Sequence, residues 1–232
     1  MDYSSHFDLK LTSHFDSLMI IYIATVCKPA RLGYNVKSAR HDKGDNMANY
    51  IFGYGSLMNS ASRQLTGQTS QATPATAHGF KRYWGKVDDS YILSPLVVNK
   101  GQGQVNGVLL EVSDRGLLEF DVRERGYHRV VIEPDQLDAP LSLCSSDQVW
   151  VYIKDNPQPP CSLSPIMQTY VDTVLAGCLE ISQHFAEQFV QHTVGWHFPL
   201  ENDRHQPKYG NLAGVTPADH PTIDALIADV IG

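Results

Sequence analysis

The sequence predicts an α+β fold, a curled antiparallel sheet with a helix packed against it. Three observations carry that reading. Short β-favouring runs punctuated by Gly, Asn and Asp fill the chain between residues 49 and 153. After the Pro-rich stretch at 156–160 the apolar period switches to threes and fours. Strands first and helix late is the order of an α+β domain, not of alternating βαβ units.

Residues 49–52 (NYIF) form a strand that stops at Gly53 and Gly55, where a sharp turn is expected. Residues 60–65 have helical character. Residues 76–87, 91–98 and 107–112 read as separate strands divided by turn residues. Ser113 is placed to N-cap a short helix running through Phe120. Residues 127–133 and 148–153 complete the strand set. Ser164 and Pro165 read as an N-cap with Pro at the first helical position. One long helix is expected to follow, its buried face marked by Tyr170, Val174, Cys178, Phe185 and Phe189 and its end by Gly195. A short helix is expected from Pro221 to Ile231.

Composition bounds the function. The chain has 232 residues, 42% apolar and 19% charged, with a formal charge of −7. That is an ordinary globular balance with no dense basic patch, and it argues against a nucleic-acid partner. Cys27, Cys144, Cys161 and Cys178 are too scattered for a disulfide framework and include no CxxC pair, which fits a reducing cytoplasm. The apolar run from Leu18 to Cys27 is about half the roughly 20 residues a bilayer requires. Asp2, Asp8 and Asp16 precede it where an export signal would be basic. No membrane partner is expected, and residues 1–46 read as a poorly ordered N-terminal extension ahead of Met47, with one domain over 47–232.

Two stretches carry chemistry. In the first, Tyr54, Gly55, Ser56 and Leu57 follow a strand at a glycine-bent turn. Such a turn directs successive backbone N–H groups into a cavity and suits a carboxylate or a developing oxyanion. No GK[ST] follows, and the GxSxG order is absent, so neither a phosphate loop nor a serine nucleophile is indicated. In the second, Glu124 lies between Arg123 and Arg125, just before Gly126 and Tyr127. An isolated stretch of this kind is usually a solvated charged loop. At the edge of a cavity, Glu124 would take a proton from one atom and return it to another. His184, His192 and His197 lack metal-ligand spacing, so no metal is expected. Tyr127 and Tyr209 are candidate secondary contacts, although tyrosines in such positions more often serve packing.

Taken together, FGYGSL at 52–57, GVLLEV at 107–112 and RERGYHR at 123–129 resemble the γ-glutamylcyclotransferase superfamily, most closely its ChaC-type and bacterial AIG2-like branches. The resemblance is strongest over residues 49–133 and departs from the family pattern at Met58, Asn59 and Ser60. It implies a small mixed β-barrel with packed helices and release of 5-oxoproline from γ-glutamyl peptides or amines without cofactor or metal. It further implies Glu124 as the catalytic carboxylate and Tyr54, Gly55, Ser56 and Leu57 as the loop that receives the γ-glutamyl group. The competing reading is a non-catalytic binding or regulatory protein that retains the cavity.

Overall fold

The computed structural model describes residues 47–67, 70–86 and 92–231. The expectation of an N-terminal extension at 1–46 lies outside the described residues. The elements run in order β1 (Asn49–Gly53), α1 (Ser60–Leu65), β2 (Ala72–Trp84), β3 (Leu96–Val112), α2 (Asp114–Arg123), β4 (His128–Ile132), β5 (Leu137–Asp138) and β6 (Gln148–Ile153). There follow β7 (Ile166–Met167), α3 (Gln168–Ile181), α4 (Gln183–Gln191), β8 (Thr193–Val194), β9 (Leu200–Glu201) and α5 (His220–Ile227).

Seven strands form one sheet in the order β4-β6-β1-β3-β2-β5, with β8 added against β2. Most pairs are antiparallel, but β1 with β6 and β2 with β8 are parallel, so the sheet is mixed. Its two ends approach each other. The chain passes from β4 at one edge to β5 at the other between Ile132 and Leu137, a step that spans no more than about 18 Å fully extended. The sheet therefore curls into a half-barrel whose edges β4 and β5 do not pair with each other.

Alternation along the strands feeds two cores. Tyr50, Phe52, Phe80, Val105 and Leu109 belong to one cluster, whose fully buried members all lie on strands. Ile51, Val108 and Leu110 face the other way, onto the helices and the turn after β1. Strands buried on both faces read as continuous apolar runs, as 50–52 and 108–110 do.

Two differences from expectation have simple causes. Residues 96–98 of the run expected at 91–98 and the run at 107–112 are ends of a single strand, β3, paired with β2 along its length. The intervening glycines do not end that strand: Gly103 (φ 157°) lies within it, and the register shift of its pairing falls at Gly79 (φ 81°) on the partner strand β2. The expected long helix is two helices. Ser182 is extended (φ −172°, ψ 160°), and its side chain accepts from the Phe185 N–H, capping α4. The apolar period continues because both helices pack into one core cluster, whereas 164–167 lead into β7 before helix begins at Gln168.

Candidate active site

The turn after β1 is built by close approach. Beyond Gly53 the chain makes a 3-10 turn at Ser56–Met58, closed by Met58 N–H to Gly55 O at 2.9 Å. A Cβ on Gly53 would lie 2.7 Å from the Leu57 Cβ, and one on Gly55 would lie 3.0 Å from the Tyr170 hydroxyl oxygen. Glycine is needed at both positions for space. Leu57 and Met58 are buried and draw the turn into the helix-side core. At the open end of a 3-10 turn the first N–H groups, here those of Ser56 and Leu57, have no partner within the turn.

Several long-range contacts hold this turn rigid. Asn59 is fully buried. It caps α1 by accepting from Ser62 N–H at 2.9 Å and donates to Thr173 O at 2.9 Å and Ala213 O at 3.1 Å. Arg63 donates to the Leu57 and Met58 carbonyls at 2.7 and 2.9 Å. Gly177 of α3 faces the Asn59 backbone so closely that any Cβ would overlap it. Tyr54 turns its hydroxyl away from the turn to donate to Tyr152 O at 2.7 Å, which ties the turn to β6.

Arg82 lies behind the turn and is fully buried. Its guanidinium donates to Thr193 Oγ1 (2.7 Å), to Asn106 O and Oδ1 (2.8 Å each) and to Phe189 O (3.1 Å), and more weakly to Tyr54 O (3.4 Å). The ring of Phe189 stacks 3.9 Å from its central carbon. Desolvation lowers its pKa to about 9, partly opposed by Cys178, Tyr170 and Tyr54. Its neutral acceptors and the aromatic face stand where a carboxylate partner would otherwise be expected.

Glu124 sits at the C-cap of α2, its N–H donating to Phe120 O at 2.8 Å. Gly126 (φ 92°) then reverses the chain, with Tyr127 N–H donating to Glu124 O at 3.0 Å. The helix end is braced by Asp121, which accepts from Tyr152 Oη at 2.8 Å and pairs with Arg129 at 2.9 Å. The Glu124 carboxylate lies 3.2 Å from Arg123 Nε, and its side chain retains 24% exposure. It is thus recessed yet open. Burial raises its pKa, and the Arg123 guanidinium opposes that rise.

The carboxylate and the turn meet through three tyrosines. Tyr54, Tyr170 and Tyr209 all have raised pKa values, with burial as the main cause and the Glu124 charge adding to each. The Ser56 and Asn211 side chains approach the Tyr209 hydroxyl and oppose its rise. The rings of Tyr170 and Tyr209 stand 4.7 Å apart. Tyr127 donates to Leu96 O at 3.2 Å. Leu96 in turn lies beside Gly55. Glu124, Gly55, Ser56 and Tyr54 are therefore gathered in one neighbourhood, with Leu57 anchoring the turn from beneath. An open groove of about 320 Å³ lined by Glu111, Arg115 and Glu119 contains none of them.

Sequence reasoning did not place Arg82, Asn59 or Tyr170 here. Arg82 carried a usable signal, because alternation with Phe80 and Trp84 puts it on the inward face of β2. Asn59 and Tyr170 carried none, since their partners lie far along the chain. Among the described residues no group of His, Cys, Asp and Glu could hold a metal ion. No helix there is long and apolar enough to cross a membrane.

A family model described as γ-glutamyl cyclotransferase, AIG2-like, matches residues 51–170. An uncharacterized protein from Homo sapiens is similar in fold, with a TM-score of 0.50 at 15% identity over 77% of this chain and 99% of that one. A solved structure named γ-glutamyl cyclotransferase has a TM-score of 0.48 at 15% identity, covering 77% of this chain and 99% of its own. A protein from Arabidopsis thaliana solved in solution is 28% identical, with a TM-score of 0.35, over 49% of this chain and 66% of that one. No curated protein matches the sequence.

Proposed function

The chain belongs to the AIG2-like γ-glutamyl cyclotransferase family, and from that premise we propose that it releases 5-oxoproline from a γ-glutamyl peptide or amine, with Glu124 as acid and base and residues 54–57 as the cradle. One observation supports this most. A recessed carboxylate and a glycine-bent turn whose first N–H groups have no partner within the turn share a neighbourhood walled by tyrosines.

The substrate brings its own nucleophile. Glu124 accepts a proton from the α-ammonium, and the freed amine attacks the γ-carbonyl carbon, forming the lactam C–N bond. The oxyanion of the tetrahedral intermediate faces the N–H groups at Ser56 and Leu57. On collapse the original C–N bond breaks, and the departing amine takes the proton back from Glu124. The regenerated carboxylate then relays the second proton of the attacking nitrogen to the freed amine, leaving a neutral lactam and an ammonium product. Preorganised intramolecular attack supplies up to about 7–11 kcal/mol. Proton transfer contributes about 10²–10⁴-fold, and each well-aimed oxyanion donor about 3 kcal/mol. No serine or cysteine nucleophile is required. The raised pKa of Glu124 suits a group that must both accept and return a proton.

The test is to incubate the purified protein with glutathione, γ-glutamyl-alanine and several γ-glutamyl amines and to assay 5-oxoproline. Release from one or more of these is expected. Stoichiometric binding with no product from any of them would instead make the protein a binder that keeps the cavity.

A further inference from the structure

The segment 202–213 has no regular secondary structure beyond turns, yet buried polar groups fasten it to the body on both sides of Tyr209. Ahead of that residue, Asp203 is 1% exposed and accepts from Thr169 N–H at 2.9 Å, Thr169 Oγ1 at 2.6 Å and Lys208 N–H at 2.8 Å. Arg204 forms a two-pronged pair with Asp172, itself 1% exposed, at 2.8 and 2.7 Å, and a second with Asp224 at 3.0 and 2.7 Å. Beyond Tyr209, buried Asn211 donates to Ser62 Oγ at 2.9 Å, and Asn59 holds Ala213 O.

Covering an apolar surface does not call for this. Buried ion pairs add little net stability over well-packed apolar residues, and their best-attested use is to fix register. The register fixed here is that of Tyr209. Thr169, which receives Asp203, immediately precedes Tyr170, so the anchor of the segment is also the neighbour of the ring that Tyr209 packs against. The hydroxyl of Tyr209 is thereby delivered to Ser56, within electrostatic reach of Arg123 and Glu124.

We propose that residues 203–211 form a strap that completes the substrate site, and that Tyr209 is a specificity-determining residue which walls the γ-glutamyl pocket with Tyr170 and holds Ser56 in place. The strap lies wholly beyond the part of the chain that matches the family, residues 51–170. This assignment rests on the cyclotransferase reading, and its test separates the two.

Tyr209→Phe, Tyr209→Leu and Asp203→Asn are compared with the parent by 5-oxoproline release and, independently, by calorimetric titration with 5-oxoproline. Tyr209→Phe keeps the ring and loses one hydrogen bond. It is expected to lower kcat about ten-fold with KM and melting temperature little changed. Tyr209→Leu also removes the wall and is expected to raise KM and weaken 5-oxoproline binding about ten-fold. Asp203→Asn, which loosens the strap, should move KM in the same direction by less. A parent that binds 5-oxoproline but releases none overturns the catalytic reading and leaves the strap to be judged on the titration. Folded Tyr209→Phe and Tyr209→Leu variants with parental kcat, KM and 5-oxoproline affinity would overturn the strap, as would a parent with no affinity for 5-oxoproline. If Tyr209→Leu does not fold, Tyr209→Phe decides alone.

Discussion

Replacing Glu124 by Gln separates chemistry from folding more cleanly than any other single change at this site. The amide keeps the shape of the carboxylate, and its oxygen still accepts from Arg123 Nε, now at 3.2 Å from the acid. What disappears is the proton acceptor. Turnover should fall about 10²–10⁴-fold, which corresponds to roughly 3–5 kcal/mol in barrier height. Stability should barely respond. The Arg123–Glu124 pair is 31% and 24% exposed, and partly solvated pairs of this kind contribute less than about 1 kcal/mol. A neutral amide also relieves the burial penalty that raises the pKa of Glu124. The two effects oppose each other, so the melting temperature should stay within about 4 °C of the parent. Initial rates of 5-oxoproline formation at saturating substrate, beside circular-dichroism melting curves, read both quantities. Parental turnover in the Gln variant would refute the assigned role. A melting temperature lowered by tens of degrees would show that Glu124 is a structural residue.

Three further outcomes follow from the same geometry. Arg123→Gln removes the cation that opposes the rise in Glu124 pKa, so the pKa climbs and the base form appears only at higher pH. The acid limb of the kcat/KM profile should move upward, and an unmoved or lowered limb would contradict the pairing. Arg82→Met strips donors from Thr193 Oγ1, Asn106 O and Asn106 Oδ1. Orphaned acceptors cost about 1–3 kcal/mol each, partly offset by losing a buried cation. A net loss of about 3 kcal/mol, or roughly 6–12 °C in Tm, is expected; an equal or higher Tm would overturn that balance. Gly177→Ala forces a methyl into the Asn59 backbone. It should cost about 1–3 kcal/mol and reduce turnover by displacing the turn, both measurable on the same preparations.

Local chemistry explains why so much was legible beforehand. Ser113 caps α2 through its bond to Gly116 N–H at 3.1 Å because an N-cap acts within a single helical turn. β1 and β6 begin and end close to where β-favouring residues do. The two glycines of the turn announce a close approach, although not what approaches. Errors arose where a local signal had two physical outcomes. Gly101 and Gly103 end a strand or merely curl it, and the extended pairing with β2 decided for curling. Ser182 falls inside the span of the expected long helix, but its side chain caps a second helix.

The amino-acid order by itself determined the strand and helix content, the turn at 54–57 and the carboxylate at 124, because propensity, capping and side-chain periodicity act over a few neighbouring residues. Only the tertiary structure decided that Glu124, Ser56, Tyr170 and Tyr209 share one neighbourhood, that Arg82 is buried behind the turn on neutral acceptors, and that Asn59 joins α1, α3 and the C-terminal segment. Such meetings depend on how the sheet curls and where α3 seats against the turn. Those outcomes are set by the packing of surfaces contributed from distant parts of the chain, and no window of the sequence contains both sides of any of them.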